Sequence, residues 1–116
     1  MAKVDLAAKL ATFSEHFQPK IVSRFNGHEV MVAKLLGEFP WHKHDDTDDF
    51  FLVLKGHLRL ETREEVMELG PGDLYVVPAG VEHRPIAAEE VHILLIERDG
   101  TPNTGDPETA AVKREI

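Results

Sequence analysis

The stretch that decides the fold runs Gly37-Glu38-Phe39-Pro40-Trp41-His42-Lys43-His44-Asp45-Asp46-Thr47-Asp48-Asp49-Phe50-Phe51-Leu52-Val53-Leu54-Lys55-Gly56. In extended backbone, side chains alternate with period two, so His42 and His44 point to one side. Asp45 to Asp49 is a poor strand and a plausible turn, because acidic residues are depleted in strands and Asp favours turns. Phe50 to Leu54 then reads as a strand by length and composition. The expected local structure is strand, acidic hairpin, strand, with Asp49 turned toward the space the two histidines face.

A second stretch answers the first. Gly72-Asp73-Leu74-Tyr75-Val76-Val77-Pro78-Ala79-Gly80-Val81-Glu82-His83 is a strand bounded by turn residues and closing on a histidine. Three imidazoles and a carboxylate from two hairpins suit a first-row divalent metal ion.

These two stretches resemble the paired motifs of the cupin superfamily. Gly37, His42, His44, Asp49 and Gly56 fit the first motif, although its acidic position is usually glutamate. Gly72, Pro78, Gly80 and His83 fit the second, with Ala87 where an asparagine commonly stands. The resemblance covers Gly37 to Ala87 and implies an all-β, cupin-type β-barrel or jelly roll. It implies one divalent ion per chain (nickel, iron, manganese or zinc) held by His42, His44, Asp49 and His83. It further implies isomerase, epimerase or dioxygenase chemistry on a small molecule, including that of mannose-6-phosphate isomerase-like members. The alternative is a non-catalytic domain that holds a small ligand, its metal purely structural.

Aspartate in place of glutamate shortens the reach toward a metal by about one carbon–carbon bond, roughly 1.5 Å. On that count a water is expected to bridge Asp49 to a three-histidine site, leaving the carboxylate to accept a proton. Glu82 and His92 are the other candidates for acid–base work. For His92, in an apolar strand whose inner face the pattern does not assign, a hydrogen-bonded structural role competes. His57 falls on the polar face of its strand, and Asp45, Asp46 and Asp48 read as a solvated turn.

The rest of the chain frames this block. Leu6, Leu10, Phe13 and Phe17 recur at helical spacing, so a short N-terminal helix is expected over 5–17, stopped by Pro19. Lys20 to Phe25 and His28 to Leu36 flank an Asn26-Gly27 hairpin turn. Leu58 to Thr62 alternates as a half-buried strand, Val66 to Leu69 is a short strand, and Val91 to Glu97 a strongly apolar one. Residues 84–90 read as loop, and from Asp99 the chain reads as an extended or mobile tail. The expected organisation is one domain: lead-in 1–19, barrel 20–98, tail 99–116.

At 116 residues the chain supports a single core. A net charge of −8 argues against nucleic acid, whose phosphates need a basic surface. There is no cysteine, so disulfides and thiolate zinc sites are excluded. Charges at Lys3, Asp5, Lys9 and Glu15 interrupt any signal-peptide core, and no apolar run is long enough to span a membrane, so a cytoplasmic protein is expected. Phe50 to Leu54 is apolar on both faces; because small cupins of this kind commonly pair through such a sheet, a homodimer is expected.

Overall fold

A computed structural model describes residues 2–116. Eight strands follow one helix: α1 (Leu6–Leu10), β1 (Lys20–Phe25), β2 (His28–Glu38), β3 (Asp49–Lys55), β4 (Leu58–Thr62), β5 (Val66–Leu69), β6 (Leu74–Val77), β7 (His83–Arg98) and β8 (Arg114–Glu115). The sheet runs β5-β4-β7-β2-β1-β8; β3 joins it through β7 and carries β6 on its other edge. This is the all-β cupin barrel that the two motifs imply, with its short N-terminal helix.

Strand β7 is the spine. Its first half pairs with β4 (Leu60↔Pro85, Thr62↔His83) and its second half with β3 (Leu52↔Leu94, Val53↔Ile93). On its other edge β2 pairs along nearly the whole length, from His28↔Arg98 to Glu38↔Ile86. The register with β2 shifts between Leu35 and Gly37, so the strands bend there and the barrel can curl. Residues 84–90, expected as loop, are therefore strand. Their two glutamates mark only the three exposed positions (88–90) where the inward parity of His83, Pro85 and Ala87 breaks before resuming at Val91. The turn after β3 packs closely against this irregularity: at Gly56 (φ +87) any Cβ would meet the carbonyl of Glu90 at 2.8 Å.

The core is the inward parity of each strand: Met31, Ala33 and Leu35; Phe51 and Val53; Leu58 and Leu60; Val91, Ile93 and Leu95. Both barrel-facing parities of β2 and β7 end on acids, Glu29 and Glu97, opposite each other in the ladder and both buried.

Three local expectations change. The helix spans Leu6–Leu10 only. Asp5 caps it by accepting from the Ala8 amide, but Thr12 turns its hydroxyl onto the Lys9 carbonyl and Lys34 takes the carbonyl of Phe13, which ends the turn. The apolar stripe survives: Leu10 is buried, and Phe17 packs on the core from a left-handed backbone conformation (φ +57). Second, the strand–acidic hairpin–strand reading fails, because His42–Asp48 forms no hairpin partner for β3. Pro40 lacks an amide donor, and beyond β2 the pairing thins to the Phe39 amide on the Pro85 carbonyl and a two-hydrogen-bond bridge of His42 with His83. Third, the tail is extended but anchored: β8 lies parallel to β1 (Lys20↔Arg114, Ile21↔Glu115), and Lys113 reaches the barrel interior.

Candidate metal centre

The bridge between His42 and His83 is what brings the two motifs together. Each backbone amide donates to the other's carbonyl (3.0 and 2.9 Å), so both side chains leave a shared pair of positions. The Pro78-Ala79-Gly80 turn supplies two more ties: the Gly80 amide donates to the His44 carbonyl (2.7 Å), and the Ala79 amide to Asp48 Oδ1 (3.0 Å). Asp48 is thus a clamp on the histidine loop, a role its place in an acidic run conceals. Asp49, the first residue of β3, is held by pairing with Val77.

These constraints converge four donor atoms. His42, His44, Asp49 and His83 each present one, all within 4.8 Å of one another. Asp49 Oδ2 lies 2.7 Å from Nε2 of His83, 3.3 Å from that of His44 and 3.8 Å from that of His42. The shortfall expected for aspartate is absent, because the backbone at the start of β3 carries the carboxylate in among the imidazoles.

The hydrogen bonds behind the rings assign their tautomers. His42 Nδ1–H donates to the Pro40 carbonyl (3.0 Å) and His83 Nδ1–H to the Val81 carbonyl (2.8 Å). A neutral ring so held aims the Nε2 lone pair inward, the arrangement that metal-ligating histidines use. At 2.7 Å a lone pair facing a carboxylate oxygen needs a proton or cation between them. His44 Nε2 is buried with no hydrogen-bond partner. Donors bound to a first-row ion at about 2.0–2.2 Å lie roughly 3.0–3.4 Å from one another, and the three contacts bracket that range. The residues fit a divalent ion. Phe39 and Phe51 set ring edges against His42 and His83, at centroid separations of 5.1 and 6.0 Å.

Electrostatics agree. Burial pushes the Asp49 carboxyl up, but the three imidazoles outweigh it and hold it far below the usual range. Burial pulls His44 down, yet the Asp49 carboxylate more than offsets this and leaves it raised. A base raised on folding adds stability that is complete below its unfolded value, near 6.5, and fades as pH climbs through the folded value. Metal-free protein is therefore expected to melt higher at pH 6 than at pH 8. Metal binding displaces the proton from the His44 ring, so the stabilisation by added ion is expected to be larger at pH 8. Thermal melts with and without ion at the two pH values check both signs.

The remaining candidates lie elsewhere. Glu82 is exposed and pairs with Arg63 (3.4 Å). His92 points away from the barrel interior, on the parity opposite to Val91 and Ile93, and bonds to Glu90 (2.9 Å). Neither faces the cluster. Together with His16, His92 holds the Glu90 carboxyl down to about 2. His57 is exposed beside Glu68.

The side chain that sequence reasoning missed is Glu97. Its side chain is 3 % exposed, and it lines an apolar cavity whose floor is His42 and Asp49. Phe17, Leu35, Phe39, Phe51, Ile93 and Leu95 supply most of the wall, with Asn103 from the tail. Burial first, and then the Asp49 charge, push the Glu97 carboxyl up.

Comparison with known proteins agrees with this fold. Residues 29–97 match the Cupin domain family model. The chain belongs to the cupin family. A cupin-2 domain containing protein from Shewanella frigidimarina NCIMB 400 is 38% identical, with a TM-score of 0.80 over 82% of this chain and 93% of that one. Protein NMB1881 from Neisseria meningitidis is 30% identical, with a TM-score of 0.76 over 84% of this chain and all of the other. The uncharacterized protein YdbB of Bacillus subtilis (strain 168) is 38% identical over 64 residues, 54% of this chain and 57% of its own length. The chain thus spans little more than half of that curated relative. Among the described residues no helix is long and apolar enough to cross a membrane.

Proposed function

We propose that this chain is a divalent-metal-dependent enzyme acting on a small, largely apolar molecule. The observation that carries the reading is the four-donor cluster opening onto a cavity walled by phenylalanines and aliphatic side chains, with neither lysine nor arginine in its lining. His42, His44, His83 and Asp49 would hold the ion. When bound, nickel, iron, manganese or zinc supplies Lewis-acid chemistry, and iron or manganese also oxygen chemistry. Phe17, Phe39 and Phe51 exclude water and orient an apolar skeleton over the cluster. Glu97 is the other carboxyl group on the wall, raised by burial and by the Asp49 charge, and it stands at the cavity edge as a candidate for proton exchange.

The lining favours dioxygenase-type chemistry over the sugar isomerase or epimerase type. A sugar phosphate needs several hydrogen-bond partners around its ring and cations at its phosphate; this wall offers no cation, and beyond the cluster only Glu97 and Asn103 as polar groups. Arg63 and Arg84 instead stack on Trp41, with guanidinium-to-ring distances of 3.8 and 5.0 Å, outside the cavity. A screen of protein loaded with each of the four ions tests this, comparing oxygen uptake on small phenols with isomerisation of aldose phosphates. Oxygen uptake with a phenol is the expected result; turnover of a sugar phosphate alone would overturn the reading. A second reading, a structural ion in a binding domain, has one observation in its favour: the cavity offers only about 50 Å³. Metal-loaded protein that binds small phenols without converting them would select it.

We further propose a homodimer. Phe50, Leu52 and Leu54 are half-buried on the outer face of β3. Across the ladders they adjoin exposed Leu74 and Val76 and half-buried Leu94. The helix does not cover them, since α1 lies against β2. A contiguous apolar sheet face of this kind is a protein contact. Light scattering at micromolar concentration is expected to give twice 13.0 kDa, falling to the monomer mass in Leu74→Asp. A wild-type monomer would refute it.

A further inference from the structure

The two cavities that reach the four-donor cluster share one wall. Asn103 bounds the apolar cavity over His42 and Asp49. On the other side a polar cleft of about 370 Å³ leads to His44 and is bounded by Gly100, Thr101, Pro102 and Gly105. The tail segment 100–105 thus closes both approaches.

Size makes this wall matter. The apolar cavity offers about 50 Å³. A water molecule takes about 30 Å³, and a cavity that accepts benzene measures about 150 Å³. With the tail in place the apolar cavity has room for one or two waters and no room for a small organic ring, and the larger cleft is polar and reaches His44 alone among the four donors. For an apolar ring to enter, a wall of that cavity must move, and the barrel strands are fixed to one another by continuous ladders. The tail between β7 and β8 is not. Among the described residues, the loop-type backbone hydrogen bonds of 102–112 are internal, Gly105 to Pro102 and Thr109 to Asp106. Its ties to the barrel are side-chain ties. Asn103 Nδ2 donates to the Phe17 carbonyl over a long 3.4 Å, on a residue already in the sparsely populated left-handed region (φ +57). Asn103 Oδ1 accepts from the Ala111 amide (2.9 Å), which folds the segment back. Gly105 (φ +78) lies flat on the Lys43 carbonyl, beside His44, where a Cβ has no room.

The firm attachment comes at Lys113. Its ammonium donates to Glu29 (2.8 Å), to Glu97 (3.1 Å) and to the Thr101 carbonyl. Its side chain is 10 % exposed, and the two carboxylates are 6 and 3 % exposed. Removing the cation would leave two like-charged carboxyls buried on neighbouring strands, so this contact is the firm tie within 100–113, just ahead of the β8 pairing with β1.

We infer that residues 100–113 form a strap over the metal centre, latched by Lys113 between Glu29 and Glu97, and that a small organic ligand reaches the cluster when the latch opens. The inference rests on the reading of the cluster as a small-molecule site. Gly100 (φ +83) stands at the strap's entry, where the tail leaves β7. Opening frees the space occupied by Asn103 and turns Glu97 from a partner of Lys113 into a carboxyl facing the enlarged cavity.

The strap is tested on metal-free protein by diethyl pyrocarbonate, which acylates accessible imidazole nitrogens, read by peptide mass spectrometry. Amide hydrogen exchange is followed in parallel in wild type, Lys113→Met, Lys113→Arg and Asn103→Ala. Exposed His57 is the internal control. His42, His44 and His83 are expected to react about tenfold or more faster in Lys113→Met, in proportion to the open population. Asn103→Ala is expected to show a smaller increase, and Lys113→Arg to stay near wild type. Exchange at Met31 and Ile93 in the barrel is expected to be unchanged throughout. Cluster histidines as slow in Lys113→Met and Asn103→Ala as in wild type would overturn the strap. So would acceleration accompanied by lost protection at Met31 and Ile93, which would make Lys113 a brace of the whole barrel. A wild-type chain that takes up no divalent ion would remove the functional reading, while the histidine reactivities would still decide the strap.

Discussion

Adding the cognate divalent ion at about a hundred times its dissociation constant is expected to stabilise the native chain by about 2.7 kcal/mol, since the unfolded chain has no preformed site. For a domain of 116 residues each kcal/mol moves the midpoint by about 4 °C, so a rise of roughly 10 °C is expected. In His42→Ala and His83→Ala the rise is expected to vanish. Both rings are locked from behind by backbone carbonyls and both present Nε2 to the same carboxylate oxygen. Differential scanning fluorimetry with nickel, iron(II), manganese and zinc reads this directly. An equal rise in the alanine variants would mean that the ion binds elsewhere, for instance along the exposed acidic loop at Asp45 and Asp46.

The second large effect concerns Asp49. One oxygen of this side chain lies within 2.7–3.8 Å of all three imidazoles, so in the proposed site it would be a direct ligand. Asp49→Ala is expected to weaken metal binding at least as much as His44→Ala, by about a hundredfold or more. Asp49→Glu is expected to bind worse than wild type, because an added methylene overpacks a buried site whose carboxylate already reaches. Isothermal titration of the three variants with one ion checks the order. A bridging-water arrangement would reveal itself by the reverse: Asp49→Ala retaining most of its affinity and Asp49→Glu exceeding wild type.

The Asp49 case shows where the sequence speaks and where it stops. The His-x-His pair and the Pro-x-Gly-x-x-His run are local patterns, so the four donors and the barrel were legible through the family resemblance those patterns carry. The distance between Asp49 and those imidazoles was not, because β3 is set by pairing with Val77 and Val76 rather than by its own residues. A side-chain length argument that keeps a reference backbone cannot see that adjustment. Glu97 escaped for a different reason. Val91-His92-Ile93-Leu94-Leu95-Ile96-Glu97 is apolar on both faces, so alternation gives no inward parity until the ladder with β2 fixes it. Lys113 could be assigned no partner, since Glu29 lies 84 residues away. Residues 84–90 looked like loop because a kink in a long strand leaves the same polar trace as a turn.

Whether His42, His44, His83 and Asp49 together hold one divalent ion is tested by X-ray absorption at the metal edge, on protein purified without a histidine tag and loaded with a single equivalent. Three imidazole nitrogens and at least one oxygen are expected at about 2.0–2.2 Å, with one ion per chain and one imidazole fewer in any His→Ala variant that still binds. A spectrum of oxygen ligands without imidazole, or a chain that retains no ion after loading, would contradict that arrangement.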